Sequence, residues 1–447
     1  MVSVLLSPTT VPLPGVEVVK KSVEETKPNG TATDANYWWN TSGADLSRML
    51  QEAMYPDDVR RHFLDWYRDN ICPMLGGRPQ SDSPKCAIGW DGNPLEFSFE
   101  LKGSIKKQAV RFVVDLSQLR PQDSNNLLSP ENTQKLVDVL SKEQHGFDDQ
   151  WYNTLKEWFV YDHLPIDEQR ALIKKAGQSS PVIVGFDIGR KLEAASQLPV
   201  MGKVYFLPCF RAAAQDVTHW QAVSAAIYHL PNVHSYPNVL KSCQMITDYL
   251  SDKPEPWRMG TRWLATDLIS PAKARLKVYN RCFATDFDSI WDYYTLGGRI
   301  PNLDGDKDKF RDLMDCLSGV SYEESRSKDE MNMKRFSSMT KKLTAVYFAL
   351  SADHPYPVPK LCLYPSNFAP NDQIIARGLD TWLAKHGWDD DGKSIEKQVK
   401  SSFTHRALDE RTGIFTFIGI GPKGDPAKSQ LTIQAYVTPE LYIQPRY

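Results

Sequence analysis

The sequence predicts an α+β protein: a closed barrel of about ten antiparallel strands, built from repeated ααββ units and ringed by helices. Three observations predict it. Strand-like runs come in pairs joined by short links, which makes the members of a pair antiparallel neighbours. The first members begin near residues 94, 181, 261, 341 and 413, so the pairs recur about every 80 residues with helical text between them. The runs also alternate between apolar and polar side chains, which gives the sheet one apolar face and one face dense in Arg, Lys and Tyr. Five pairs give about ten strands, and a sheet of that size removes its exposed edges by closing.

The elements follow in order. Residues 1–35 are rich in Pro, Thr, Glu and Lys and read as a flexible N-terminal tail, leaving 36–447 as a single barrel domain. Thr41 and Ser42 are helix-start residues, and apolar spacing then predicts helices from about 43 to 73. PLEFSFEL (94–101) and KQAVRFVVDL (107–116) form the first strand pair, followed by helical text that includes SPENTQKLVDVLSKE and FDDQWYNTLKEWFVYDHL. PVIVGFDI (181–188) and GKVYFLPCF (202–210) form the second pair, with helices over about 216–251. TRWLATDLI (261–269) and ARLKVYNR (274–281) come next, with helices through about 317. KKLTAVYFALS (341–351) pairs with PKLCLYP (359–365), and a helix follows near DQIIARGLDTWLAKHG. GIFTFIGIG (413–421) and QLTIQAYVT (430–438) complete the set.

Alternation also assigns the faces. In LEFSFEL, Leu95, Phe97, Phe99 and Leu101 form one row, and Glu96, Ser98 and Glu100 form the other. The surrounding helices need the apolar row, so the polar row faces the barrel interior. The same rule sends Glu96, Arg111, Lys203, Tyr205, Arg275, Lys277, Tyr279, Lys360, Tyr364 and Tyr436 into one lumen. Inward Arg and Lys on several strands make an anion site suited to a diphosphate, because a planar fork and a compact ammonium both donate charge-assisted hydrogen bonds. Interleaved tyrosines suit a second task, since their ring faces attract a carbocation. A diphosphate and a carbocation together describe an allylic diphosphate.

Composition narrows the alternatives. A net charge of −2 makes the cationic row a local feature, which argues against nucleic acid or an anionic membrane as partner. No apolar run reaches the roughly 18 residues of a membrane helix, and the first residues lack a basic segment ahead of VSVLL. The seven cysteines are scattered and contain no CxxC pair, as expected of a cytoplasmic chain in a reducing compartment. HExxH and GxSxG are absent. DGDKDKFRDLMD (304–315) begins like a calcium loop but has Lys309 and Asp315 where that loop needs Gly and Glu, so it reads as a charged helix start. WDDDGK (388–393) is not DDxxD, and His219, His234 and His405 show no metal spacing. No metal site is expected.

The chain resembles the aromatic prenyltransferases of the fungal dimethylallyltryptophan synthase family. PLEFSF, VRF, GFDI, GKVYFLP, RLKVY, YYTLGGR (293–299) and SFTHRALDERTGIFTFIGI carry the resemblance, by their order and spacing. It implies a prenyltransferase ABBA barrel with dimethylallyl diphosphate as co-substrate and no metal or other cofactor. The implied reaction is transfer of a dimethylallyl group to an aromatic carbon of an indole-containing secondary metabolite. Arg111, Lys203, Arg275, Lys277 and Lys360 are then the diphosphate ligands, and Tyr205, Tyr279, Tyr364 and Tyr436 shield the cation. Glu96 accepts the indole N–H. Lys191, beside Arg190, is the candidate for the proton acceptor that follows GFD in the tryptophan enzymes. Three departures fall on the acceptor side. Either Cys362 replaces a tyrosine of the eighth strand or Tyr364 does its work after a shift. Thr432 stands where a tyrosine is expected, and the lysine after GFD is displaced. The alternatives are therefore transfer to a phenolic or polycyclic acceptor, or a barrel that binds a prenyl diphosphate without turnover. The expected partners are small molecules, and a homodimer is compatible with the reading.

Overall fold

Every strand-like run forms a strand, and the strands run in chain order around the molecule. The computed structural model describes residues 30–80, 86, 88–89, 91–106, 108–116, 125–192, 198–327, 344–390, 392–424, 430–443 and 446. The strands are β1 (Leu95–Leu101), β2 (Gln108–Val114), β3 (Val182–Ile188), β4 (Val200–Phe206), β5 (Thr261–Asp267), β6 (Leu276–Arg281), β7 (Ala345–Leu350), β8 (Val358–Leu363), β9 (Phe415–Pro422) and β10 (Leu431–Val437). Each pairs antiparallel with its neighbours in the chain, and β1 pairs with β10 to close the barrel. Residues 341–343, expected to begin β7, lie outside the described residues.

Helices cover the outer face in the predicted rhythm. Before β1 lie Gly30–Trp38, Ala44–Glu52 and Asp57–Trp66; between β2 and β3 lie Glu131–Glu143, Gln150–Phe159 and Ile166–Ala176. His219–His229 and Pro237–Ser251 follow β4, Phe287–Tyr294 and Lys307–Ser318 follow β6, and Asp372–Lys385 and Ile395–Ser402 follow β8. The apolar rows meet them as the pleat requires. Phe112 of β2 stacks on Phe186 of β3 at 4.6 Å, and Phe63 and Trp66 close over this pair edge-on. Phe97 and Phe99 are fully buried in the same core.

The tail boundary is corrected. Residues 1–29 lie outside the described residues, but 30–35 belong to the helix Gly30–Trp38. The composition of 1–35 averaged over a segment whose last turn is docked. Tyr37 and Trp38 are buried there, and the Trp38 indole donates to the Gly76 carbonyl at 2.9 Å. Asp304–Asp306 forms a short helical turn leading into Lys307–Ser318, with Lys309 paired to Asp306, as a charged helix start should.

Candidate active site

The polar rows converge on a cavity of about 310 Å³ inside the barrel. Register decides who meets whom. Ser98 of β1 stands opposite Arg111 of β2, and Arg111 opposite Asp187 of β3. Lys203 of β4 stands opposite Asp267 of β5. On the next strands Lys277 lies in a rung between Ala265 and Ala349, two small residues that leave its side chain room. The adjacent rung runs Trp263, Tyr279, Tyr347, Lys360 across four strands.

The predicted diphosphate ligands Arg111, Lys203, Arg275, Lys277 and Lys360 all line this cavity, at one end of the barrel. Three carboxylates hold them in place. Glu100 accepts from Arg111 at 2.8 Å and from Lys423 at 2.5 Å, with the Lys360 ammonium at 3.8 Å. Asp187 pairs with Arg111 at 2.8 Å and with Lys203. Asp267 accepts from Arg275 Nε at 2.8 Å, while Lys277 Nζ is 3.9 Å away. Burial would raise these carboxyls, but the surrounding cations outweigh it and hold all three below the ordinary range.

The lysines show the opposite balance. Burial, then the charges of Arg275 and Lys203, push Lys277 well below an ordinary lysine. Burial is also the main cause at Lys360, which Glu100 only partly restores, to about 8. Lys203 is lowered by burial despite Asp187. The cavity lining thus holds more cations than carboxylates, and a bound anion would balance it.

Tyrosines form the next layer. Tyr205 and Tyr279 lie with ring centroids 5.9 Å apart, and Tyr279 and Tyr347 4.9 Å apart. Tyr436 lies across the cavity wall, stacked on Phe417 at 3.6 Å. Burial raises all four phenols above their ordinary range, so they stay neutral. Gly185 makes space for Tyr205: a Cβ there would lie 2.9 Å from its ring and 2.9 Å from Val113.

Glu96 faces the cavity beyond the tyrosines and accepts from the Thr416 hydroxyl at 2.5 Å. Val113 stands opposite Glu96 across the β1–β2 pair, and Val113, Tyr205 and Trp263 pack against a cluster that includes buried Ile183. Two half-buried arginines, Arg262 and Arg281, lie next to Tyr364, which is also close to Glu96. Among the described residues neither guanidinium has an ion-pair or hydrogen-bond partner, and burial followed by Arg281's charge lowers Arg262. Arg281, the last cation of RLKVYNR, therefore lies near Tyr364, apart from the cluster that holds Arg275 and Lys277.

One expected site residue is corrected, and another lies apart from the cation cluster. Tyr364, one residue past the end of β8, sits close to Glu96, Cys362 and Arg262. Its ring packs against Phe417 at 5.6 Å. Cys362 holds the next position on the Lys360 row of β8, opposite Ala345 and Gly419. Lys191 is exposed beyond the end of β3 and outside the cavity lining. Neighbouring Arg190 is occupied in holding the fold: it donates to the carbonyls of Ala53 at 2.9 Å and Gln108 at 3.0 Å and covers the Tyr55 ring at 4.4 Å.

Other residues were missed although the sequence marked them. Tyr347 follows from the apolar row Val346, Phe348, Leu350, which turns it inward. Asp187 and Asp267 sit at inward positions of GFDI and ATD. Thr432 was read only as a missing tyrosine, yet its hydroxyl accepts from Lys360 at 2.7 Å and donates to the Gly421 carbonyl at 3.1 Å, so it anchors a cation. Lys423 had no signal, since it lies past the last inward residue of β9.

A closed antiparallel barrel with a cationic pocket, a tyrosine layer and a carboxylate beyond it defines a class: proteins that hold an organic diphosphate beside an aromatic molecule. Comparison gives the family. The family model described as tryptophan dimethylallyltransferase matches residues 34–398. Prenyltransferase phnF of Penicillium herquei is 62% identical over 95% of this chain and 94% of its own length. The DMATS-type prenyltransferase mfmD of Annulohypoxylon moriforme is 52% identical over 93% and 94%. The fold is also that of NotF, crystallised with brevianamide F and DMSPP, at a TM-score of 0.75 and 19% identity over 98% of this chain and 100% of that one. The chain belongs to the tryptophan dimethylallyltransferase family and is an aromatic prenyltransferase.

Proposed function

We propose that this enzyme transfers the dimethylallyl group of dimethylallyl diphosphate to an aromatic carbon of an indole-containing acceptor, without a metal ion. The observation that carries the reading is the ordering along one lumen of diphosphate-sized cation cluster, tyrosine layer and Glu96. The allylic C–O bond breaks and its electron pair leaves with the diphosphate. Arg111, Lys203, Arg275, Lys277 and Lys360 neutralise the departing charge, a fixed electrostatic contribution that serves in place of a divalent cation. Tyr205, Tyr279, Tyr347 and Tyr436 face the allyl cation, each contact worth ~0.5–2 kcal/mol depending on desolvation. An electron-rich ring carbon attacks, and the ring proton then leaves to a base. Glu96 is the carboxylate at the acceptor end and accepts the indole N–H, which raises the electron density of the ring. The barrel wall keeps water from the cation.

A second reading is favoured by Arg262 and Arg281. Two arginines without carboxylate partners among the described residues suit an acceptor with an acidic oxygen, such as a phenolic polycycle. The test is incubation with dimethylallyl diphosphate, EDTA and a panel of tryptophan, tryptophan-containing cyclic dipeptides, indole diterpenes and hydroxyxanthones. The mass expected is that of one dimethylallyl group in place of a hydrogen. No product with any acceptor sinks the enzyme reading; product with phenols alone replaces the indole assignment; and activity that requires magnesium overturns metal independence.

A further inference from the structure

β9 contains an irregularity at the acceptor end of the barrel. Phe417 pairs with Tyr436 and Phe415 with Val437, so two steps on β9 match one on β10 and Thr416 is the extra residue of a bulge. In regular alternation Thr416 would turn away from the lumen that its neighbour Phe417 faces. The bulge aims it inward, across β10, so that its fully buried hydroxyl donates to Glu96 Oε1 of β1 at 2.5 Å.

The backbone entering this bulge is fastened by a buried charge network. Asp372, at the start of its helix, accepts the N–H groups of Gly413 at 3.3 Å, Ile414 at 3.0 Å and Phe415 at 3.1 Å. Arg406 pairs with Asp372 and also reaches Glu440 at 2.6 Å, just beyond β10. Glu440 in turn accepts from His405 at 2.9 Å and Arg411 at 3.2 Å. Burying so many charges is costly unless they fix a geometry. What they fix here is the path of 413–415 and the end of β10, the two strands between which the bulge forms.

We infer that Thr416 is a positioning residue: its bulge, held by Asp372 and Arg406, sets the orientation of the Glu96 carboxylate and, through it, which acceptor carbon meets the allyl cation. The inference rests on the reading of Glu96 as the carboxylate that faces the acceptor. A carboxylate on a two-carbon stem in a lumen has several rotamers. One charge-assisted hydrogen bond to a residue on a pinned backbone selects among them.

The test compares Thr416→Val, which keeps the β-branched shape and removes the donor, with Thr416→Ser, which keeps the donor. Glu96→Gln is the control, and dimethylallyl diphosphate with a tryptophan-containing cyclic dipeptide and 1,3-dihydroxynaphthalene are the probes. T416V is expected to lower kcat/KM for the indole acceptor about tenfold and broaden the mixture of product isomers, with KM for the diphosphate changed less than about twofold. T416S should restore both. If E96Q impairs the indole reaction while T416V matches the wild type, the inference falls and the reading of Glu96 stands. If E96Q has no effect on acceptor kinetics, that reading falls and takes the inference with it. A crystal structure of T416V, or of T416A should T416V not fold, gives an answer independent of turnover. Glu96 displaced or spread over several rotamers is expected; a single unchanged carboxylate position overturns the inference.

Discussion

Lys360 offers a quantitative test of the diphosphate pocket. Its ammonium is almost fully buried, which brings its pKa down to about 8, and it faces Glu100, Arg111, Lys423, Cys362 and the Thr432 hydroxyl. A bound diphosphate supplies the missing negative charge and raises that pKa, so binding takes up a proton. The sign follows: affinity is highest below the free-enzyme pKa and falls as pH rises above it. With a pKa of about 8, Lys360 is about nine-tenths protonated at pH 7 and about one-tenth at pH 9. Affinity should therefore fall about tenfold over that interval, ~1.4 kcal/mol, if the complex stays protonated throughout. Lys277, also lowered by burial and by Arg275 and Lys203, adds uptake of the same sign. The assay is calorimetric titration with the thiolodiphosphate analogue of dimethylallyl diphosphate, whose terminal phosphate is already ionised at about pH 7 and above. Running it in buffers of different ionisation enthalpy counts the protons. Lys360→Met should remove one component of the pH dependence and leave that of Lys277. Equal slopes for wild type and K360M, or no dependence in the wild type between those two pH values, would refute the assignment.

Other predictions address separate parts of the molecule. Lys277→Met should cut kcat by about 10²-fold or more, since it removes the least compensated charge facing the leaving group; pre-steady-state turnover measures it. Glu96→Ala should harm indole acceptors far more than phenolic ones, and equal loss for both would count against its N–H contact. Gly185→Ala should push Tyr205 out of place at a cost of ~1–3 kcal/mol in stability. Its signature is more dimethylallyl alcohol per prenylated product, seen by chromatography. Asp372→Asn should cost ~1–3 kcal/mol, because the buried Arg406 guanidinium loses one of its two carboxylate partners, and urea unfolding midpoints would reveal it.

The barrel was legible because strands repeat every second residue and a one-step error would bury a cation against the helices. That constraint acts on each strand alone. LEFSFEL and RLKVYNR therefore declare their inward faces without reference to anything else, and the cations and most of the tyrosines line the lumen in the order that local text implies. Local text fails where regular alternation fails. Lys191 lies past the end of β3, and Thr416 defies its parity through a bulge.

By itself, then, the sequence determined the strands, their faces, the closure of the sheet and the chemical character of the lumen, since these follow from spacing and side-chain type. The tertiary structure alone decided which groups meet across strands. The pairing of Glu100, Asp187 and Asp267 with the cations depends on register. The replacement of a tyrosine by Thr432 as an anchor for Lys360 depends on a distance across the barrel. Arg281 carries the same charge as Arg275 six residues earlier, yet Arg275 lines the cavity beside Asp267 and Arg281 lies near Tyr364. A strand of that length spans about 20 Å, and only the closed barrel says what stands at each end of it.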